Sequence, residues 1–486
     1  MNQLARSKKS IFLKKIQEWL FYLFIFLLPW QTRWIFRDAK IQGNIFEYGR
    51  MSLYAFDIVL IILLIIGLIK FFIKGSKILN IRFLVLGNNK FYLSCLLFIV
   101  YCFLSIFWAD EKLISFYWAV RILAGFSLFY LVQKIDFSRI RLAVVIVITA
   151  SIQGLLGIWQ FLNQSIWQAK WLGMAGQSAR DLGSSVIEFG IERWLRAYGS
   201  LPHPNILGGF LVLCIPALFY LLSKIENKYQ KLFIIFSMSF IWLGIFFSFS
   251  RSAWIAFVLI NILGIIWIFK KSNGYIKKFT LTPKASDKVG AIVSVAVCDL
   301  KPQNRRYLLV SGFAKYMWAY GIIILLVFII ACLPLVKTRL NIGTPARLEI
   351  KSNTERINSF KQAGEIIREN WLPGASIGNY TFELQKNQPS AQAWDLQPVH
   401  NTYLLILAEL GIIGFLIVIL LNYYIVKLLI DRKKWYNLGL LFIFYCLLFF
   451  DHYFWTLASG LFAAWLILGL TVKTLSAPSE SSRKKL

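Results

Sequence analysis

The residue whose type and position point most directly to chemistry is His400, one of three histidines in the chain. It stands where a polar segment of about sixty residues meets an apolar run, and Asn401 follows it. The unperturbed pKa of histidine is near 6.5, so an imidazole at this boundary suits general-base catalysis at neutral pH. The alternative is a capping or interfacial histidine without a catalytic role. Asn401 is expected to orient the ring, and the position favours a substrate held between water and lipid.

Arginines are the second group of candidate residues. Arg251 lies between two closely spaced apolar runs, where it is either a snorkelling anchor or an anion ligand. Arg347 and Arg356 lie in the polar segment before His400, where charged residues commonly have no special role. Arg196 precedes a segment with His203, which we interpret as a helix entry rather than a base.

Together these residue types predict a site for a diphosphate at one membrane face. Guanidinium groups bind phosphate oxygens bidentately and offset the charge of a leaving group. The loops predicted to face outward contain no acidic pair with metal-binding spacing, and the six cysteines form no CxxC pair. We therefore expect no metal site and no cofactor, and we predict a metal-independent transfer.

The elements that must position these residues are predicted to be membrane-spanning helices. The chain has 486 residues, of which 58% are hydrophobic, and many apolar runs are long enough to cross a bilayer. Its net charge of +30 comes largely from lysines and arginines in short loops, which indicates membrane orientation rather than nucleic-acid binding. The fold class is therefore all-α, a polytopic helical membrane protein with both termini in the cytoplasm.

We predict a single integral membrane domain over residues 1–486 with about twelve spans. The spans are 17–36, 53–73, 91–109, 114–133, 142–162, 204–223, 232–250, 252–270, 317–336, 401–426, 436–453 and 455–473. Residues 271–316 are expected to be a basic cytoplasmic loop insert. Residues 337–400 are expected to be a large outer (periplasmic or extracellular) loop between spans nine and ten, with an amphipathic helix at 354–370 capped by Asn353 or Thr354.

The pattern His400-Asn401-x9-Gly411-x2-Gly414 resembles that of O-antigen ligases and related O-linked protein glycosyltransferases, a superfamily that includes O-antigen polymerases. Gly411 and Gly414 are interpreted as sites of close helix packing, and Glu409 is not paired with His400. Segments similar to the same superfamily are 199–205, 250–253 and 371–378.

The resemblance implies an inverting, metal-independent glycosyltransferase of the bacterial plasma (inner) membrane. Its donor would be an undecaprenyl-diphosphate-linked glycan, and its acceptor a lipid, a glycan or a protein. The resemblance implies essential roles for His400 and Arg251, with Arg356 as the better match for a second essential arginine and Arg347 as its competitor. Arg196, Arg347 and Asn401 are expected to bind substrate.

Two alternatives stay open at this point. A polysaccharide polymerase of the same superfamily differs from a ligase only in its acceptor, which the sequence does not identify. A flippase or transporter of lipid-linked glycans is the alternative from another class. Transporters place binding groups near the bilayer midplane on broken helices, whereas here the candidate residues are predicted to lie at one face.

Overall fold

The computed structural model describes residues 2–73, 90–224, 227–280, 302–343 and 346–476. The helices are α1 (Asn2–Leu27), α2 (Ala55–Ile73), α3 (Lys90–Leu104), α4 (Lys112–Lys134), α5 (Arg139–Asn163), α6 (Pro204–Leu222), α7 (Lys228–Phe247), α8 (Arg251–Thr280), α9 (Pro302–Ala331), α10 (Leu333–Arg339), α11 (Arg347–Glu369), α12 (Tyr380–Asn387), α13 (Thr402–Asp431), α14 (Trp435–Phe450), α15 (Tyr453–Thr456) and α16 (Ala458–Ser476). The strands are β1 (Arg33–Arg37), β2 (Lys40–Ile41), β3 (Asn44–Ile45), β4 (Met51–Tyr54), β5 (Ser165–Ile166), β6 (Gln177–Ser178), β7 (Val186–Phe189) and β8 (Glu192–Leu195). They form two-stranded antiparallel ribbons, β1 with β4, β2 with β3, β5 with β6, and β7 with β8.

The chain is a multi-pass helical membrane protein. In the part of the chain that the structure describes, seven helical segments are long and apolar enough to cross a membrane. They are α3 with the turn that follows it, α4, α5, α6, α7, the apolar part of α9, and α13. Shorter apolar helices occur in α8, α14 and α16, and every predicted span overlaps a helix. The predicted all-α class is confirmed, while the exact number of spans stays a prediction.

The predicted first span, 17–36, is wrong at its end. Helix α1 ends at Leu27, and residues of the predicted span form strand β1, which pairs with β4. Pro29 disfavours helix in the residue before it. Along β1, half-buried and exposed side chains alternate, which is the two-residue period of a strand rather than that of a helix.

Other predicted boundaries also differ from the structure. Helix α8 continues to Thr280 and α9 begins at Pro302, so both ends of the predicted loop insert 271–316 are helical, and its centre lies outside the described residues. Helix α11 begins at Arg347, before the predicted start at 354. Glu349 in its first turn interacts favourably with the helix dipole, so the capping signal at Asn353 is not used.

The contacts divide the chain into two compact units. The first unit contains residues 1–137, 169–175 and 347–486, and the second contains 138–168 and 176–346. The predicted single membrane domain over residues 1–486 stays a prediction. His400 belongs to the first unit and Arg251 to the second, so the two units are described in turn.

A buried ion pair stabilises the first unit. Arg121 in α4 donates hydrogen bonds to Asp57 Oδ1 at 2.7 Å, to the Ser52 carbonyl at 2.6 Å and to the Tyr117 hydroxyl at 2.9 Å. Asp57 also accepts a hydrogen bond from the Tyr54 amide at 2.7 Å. These partners satisfy both charged groups away from water, so Arg121 is a structural residue that connects α4 to the start of α2.

Close helix packing and a glutamine brace characterise the second unit. A Cβ on Gly154 would lie 2.2 Å from the Phe240 carbonyl oxygen, so α5 and α7 approach more closely than a larger residue permits. Gln160 in α5 accepts from the amides of Tyr198 and Gly199 and donates to the Gly199 carbonyl. This amide fixes the segment that leads into α6.

Candidate active site at the start of the motif helix

His400 lies immediately before α13, which we call the motif helix. Asn401 is the N-cap and the helix begins at Thr402, one residue after the predicted start at 401. The predicted end at 426 is also too early, because the helix continues to Asp431. The side chain of His400 is 33% exposed. The imidazole therefore reaches solvent while parts of it remain enclosed by protein.

His400, Asp451 and His452 form a group that we call the histidine cluster. His400 Nδ1 lies 3.7 Å from Asp451 Oδ1, and His452 Nε2 lies 4.0 Å from the same oxygen. The two imidazole centroids are 5.2 Å apart. His400 Nδ1 is enclosed and has no hydrogen-bond partner among the described residues. The three potential ligand atoms lie within 4.8 Å of one another, a spacing that can hold a metal ion.

His452 is the more buried of the two histidines in the cluster. Burial lowers the pKa of its imidazole to about 4; the nearby Asp451 carboxylate acts to raise it, and His400 adds a further lowering. Its Nδ1 lies 2.7 Å from Thr456 Oγ1, and its ring packs edge-on to Tyr48 at a centroid distance of 6.4 Å. His452 is therefore neutral at neutral pH, with its ring orientation held from two sides.

Asn401 caps the motif helix. Its side-chain oxygen accepts from the Leu404 amide at 3.0 Å, and its side-chain nitrogen donates to the Phe449 carbonyl at 3.1 Å. The residue is 3% exposed. Both ends of the amide therefore act in helix capping and packing, rather than in orienting the His400 ring as expected. A role for Asn401 in binding substrate stays a prediction.

The motif helix is broken at Gly411. This residue has φ 59° and ψ −170°, which lies outside the helical region. The segment 371–375 fills the break, because the Ile412 amide donates to the Trp371 carbonyl and the Ala375 amide donates to the Ala408 carbonyl, each at 2.9 Å. Gly411 thus allows the backbone to leave the helix, a role that the interpretation as a packing glycine missed.

Glu409 lies directly before this break and faces a cavity. Its carboxylate accepts from Trp455 Nε1 at 2.6 Å and from the Gly378 amide at 2.9 Å. Tyr380 and Thr456 also line this small cavity. Because Thr456 contacts His452 as well, the cavity and the histidine cluster share a wall.

The two candidate arginines of the loop lie on one helix, α11, in the first unit. Arg347 is its exposed first residue, and Arg356 is half-buried. Nine residues along an α-helix correspond to about half a rotation and about 13.5 Å of rise. The two side chains therefore leave opposite faces of α11, so only one of them can contact a ligand held against either face.

Arg251 is the half-buried first residue of α8, in the second unit. Two buried arginines hold the turn before it, because Arg196 donates to the Ser248 carbonyl at 2.8 Å and Arg339 donates to the Phe249 carbonyl at 2.7 Å. Arg196 also donates to Asn205 at 2.7 Å, and only 5% of it is exposed. These bonds indicate that Arg196 stabilises the turn before α8. Binding of substrate by Arg196 stays a prediction.

The expected role of His203 agrees with the geometry. Its Nδ1 accepts from the Asn205 amide at 3.1 Å, which makes it the N-cap of α6, and its Nε2 lies 2.9 Å from Ser185 Oγ. Both ring nitrogens therefore have structural partners. This leaves His400 as the histidine with an enclosed nitrogen that lacks a hydrogen bond in the described residues.

Part of the chain matches a known protein family. Residues 236–419 match the family model described as O-antigen ligase. The match covers less than half of the chain. The match supports membership of the O-antigen ligase superfamily and confirms the resemblance read from the His400 motif. No curated protein matches the chain. The matched region contains Arg251, Arg356 and His400, whereas Arg196 and Asp451 lie outside it.

Sequence reasoning missed two features of this candidate site. Asp451 and His452 were not assigned to the site, although their adjacency between two apolar runs was visible in the sequence. Arg339 received no role, because nothing in the sequence shows that it reaches the Phe249 carbonyl. The convergence of His400 and Arg251 stays a prediction, since they belong to different compact units.

Proposed function

We propose that the protein transfers a glycan from an undecaprenyl-diphosphate-linked donor to an acceptor hydroxyl at the outer face of the bacterial plasma membrane, with both termini in the cytoplasm. The O-antigen ligase match carries the proposal, because one continuous region contains Arg251, Arg356 and His400. The long apolar helices support a lipid-linked donor, whose polyprenyl chain can lie against them. The acceptor is a lipid, a glycan or a protein.

In the proposed reaction, the acceptor oxygen attacks the anomeric carbon while the bond between that carbon and the phosphate oxygen breaks. The acceptor proton moves to His400 Nε2, and undecaprenyl diphosphate leaves with the bonding electrons. Attack opposite the leaving group inverts the anomeric configuration. A positioned general base of this kind contributes about 10²–10⁴-fold to the rate. The step as proposed uses no metal ion or cofactor.

Asp451 is proposed as the positioning residue for His400. Its Oδ1 lies 3.7 Å from His400 Nδ1, so the proton of a neutral ring is directed toward the carboxylate and Nε2 is left for the acceptor. Its negative charge also lies next to the imidazolium that forms during transfer. Asp451 is buried, with 9% of its side chain exposed, so water screens this charge only weakly.

Arg251 and Arg356 are proposed to bind the diphosphate. The planar guanidinium can donate two parallel hydrogen bonds to phosphate oxygens and offset the charge that develops on the leaving group. Both side chains are half-buried, so part of each can reach a ligand. Arg347 is the competing candidate, and its position on the opposite face of α11 makes the two alternatives experimentally separable.

The test is glycan transfer in membranes of a bacterial strain that lacks its own O-antigen ligase. We expect His400→Ala to lower transfer by at least about 10²-fold and His203→Asn, which retains a capping side chain, to leave it near normal. Arg356→Lys should lower transfer strongly and Arg368→Lys, on the same helix, should not. Near-normal turnover by correctly inserted His400→Ala protein would rule out the base.

The break at Gly411 supports a second candidate function. It lies nine residues into the motif helix, about 13.5 Å from its start, near the depth at which transporters place broken helices. Reconstituted vesicles with the lipid-linked glycan separate the candidates. Covalent product without glycolipid crossing supports the transferase, and crossing without product supports a flippase. The acceptor found in the product distinguishes a ligase from a polymerase.

A further inference from the structure

We propose that His400 Nδ1, Asp451 Oδ1 and His452 Nε2 bind one Zn²⁺ ion, and that the bound ion inhibits glycan transfer. The 3.7 Å and 4.0 Å separations from Asp451 Oδ1 are close to those of a zinc site. Ligands about 2.0–2.1 Å from a tetrahedral ion lie about 3.3 Å from one another. The three ligand atoms lie within 4.8 Å of one another, so side-chain rotations that move each atom by up to about 1 Å close the site around an ion.

The groups around the histidine cluster preorganise it for binding a metal ion. The ring nitrogen of His452 opposite the ligand atom is already bonded, since Nδ1 lies 2.7 Å from Thr456 Oγ1. Such a bond on the outer nitrogen fixes the orientation of a metal-binding imidazole. His400 Nδ1 is enclosed without a hydrogen-bond partner in the described residues, so a metal ion would satisfy a polar atom that is otherwise left unpaired.

The donor set favours a transition metal over a hard cation such as magnesium or calcium. Two imidazoles and one carboxylate suit zinc, which is held by three protein ligands and one open position in many proteins. Magnesium and calcium prefer sets made entirely of oxygen ligands, so they fit this cluster poorly.

Inhibition follows from the nitrogen that the ion would occupy, and this part rests on the proposed function. When Nδ1 of His400 binds a metal, the remaining proton of the neutral ring resides on Nε2. That nitrogen can then no longer accept the proton of the acceptor hydroxyl. The ion also takes up Asp451 Oδ1, so the positioning contact is lost at the same time.

Binding is measured first, without any substrate. The full-length protein in detergent is stripped with a chelator and titrated with ZnCl₂ by isothermal calorimetry, and with CoCl₂ by visible absorption. We expect one ion per chain and the visible bands of tetrahedral cobalt. Removing a residue that only hydrogen-bonds a metal ligand typically weakens metal binding by about 10–100-fold. Because His452 is itself a proposed ligand, His452→Gln should weaken zinc binding by more than this. His203→Asn alters the third histidine of the chain and should bind zinc like the parent.

Two results would overturn the site. One is the absence of a one-to-one isotherm, and the other is unchanged zinc affinity in His452→Gln protein that unfolds thermally like the parent. A folded His452→Gln variant without binding supports the site. A second variant, Asp451→Asn, retains the size of the side chain and should also weaken binding, so the test does not depend on one variant folding.

Activity is measured second, with the lipid-linked glycan donor. Zinc should inhibit transfer by the parent protein in proportion to site occupancy, and EDTA should restore it. His452→Gln should resist the same zinc concentration. Stimulation by zinc, or equal inhibition of both proteins, would overturn the inhibitory role. If the zinc-free parent protein transfers no glycan but still binds zinc, the result supports the metal site and contradicts the proposed function.

Discussion

Replacing Gly411 with alanine tests whether the break in the motif helix depends on glycine. The backbone conformation of Gly411, φ 59° and ψ −170°, is essentially restricted to glycine, so another residue there costs about 1–3 kcal/mol. A Cβ at this position would also lie 2.2 Å from the Leu372 oxygen and 2.5 Å from the Gly374 nitrogen. Because both are backbone atoms, relief of the overlap adds about another 1–3 kcal/mol.

Gly364→Ala is the matched control for this substitution. Gly364 lies within α11, and a Cβ there would meet nothing within 4 Å. Alanine at such a helical position stabilises by about 0.5–1 kcal/mol relative to glycine. Both substitutions also reduce the conformational entropy of the unfolded chain. This effect stabilises the folded state by about 0.4–1 kcal/mol in both variants. We therefore expect Gly411→Ala to destabilise the protein by about 1–5 kcal/mol and Gly364→Ala to stabilise it.

The measurement is thermal unfolding in detergent, followed by tryptophan fluorescence, for the parent and both variants. The unfolding temperature should fall for Gly411→Ala and stay level or rise for Gly364→Ala. If both variants shift in the same direction by a similar amount, the motif helix does not require a left-handed residue at 411. The argument for a break filled by segment 371–375 would then be refuted.

Three further substitutions test other contacts by the free energy of unfolding. Arg121→Met should destabilise by about 3–5 kcal/mol, because Asp57 remains buried without its partner, and adding Asp57→Asn should recover part of the loss. Asn401→Ala should cost about 1–2 kcal/mol through loss of the cap on the Leu404 amide, while Asn401→Asp keeps the capping oxygen. Trp455→Phe should cost about 1.5–3 kcal/mol, because the Glu409 carboxylate loses its 2.6 Å donor.

Each of these predictions has an outcome that contradicts it. The ion-pair argument is wrong if Arg121→Met and the double variant unfold alike. The capping argument is wrong if Asn401→Asp is as unstable as Asn401→Ala. For Trp455→Phe, an unchanged unfolding free energy would mean that the indole bond to Glu409 does not stabilise the native state.

The apolar helices could be predicted from the sequence because their signal is local. A run of apolar residues specifies a membrane helix wherever its neighbours lie, which is why each predicted span overlaps a helix. The predicted ends of the helices were wrong where a different local signal in the sequence was stronger. Two such signals are the alternation of half-buried and exposed side chains along β1 and the acidic residue Glu349 in the first turn of α11.

The candidate site could be predicted only in part. His400 and Arg251 were recognisable from their motifs, and the family match contains both. The bonds from Trp455 to Glu409 and from Arg339 to the Phe249 carbonyl join residues far apart in sequence, and no local pattern encodes them. The break at Gly411 was missed for the same reason, since it depends on a backbone segment that arrives from residues 371–375.

The interlocked backbone around Gly411 has a consequence for domain exchange between related proteins. Segment 371–375 supplies a carbonyl and an amide that the two halves of the motif helix would otherwise lack, and Tyr101 in α3 donates to the Pro373 carbonyl at 3.0 Å. A chimaera that grafts a foreign loop onto this scaffold would leave those backbone groups without hydrogen-bond partners in the protein interior. The loop, the motif helix and α3 can therefore be exchanged between related proteins only as one block.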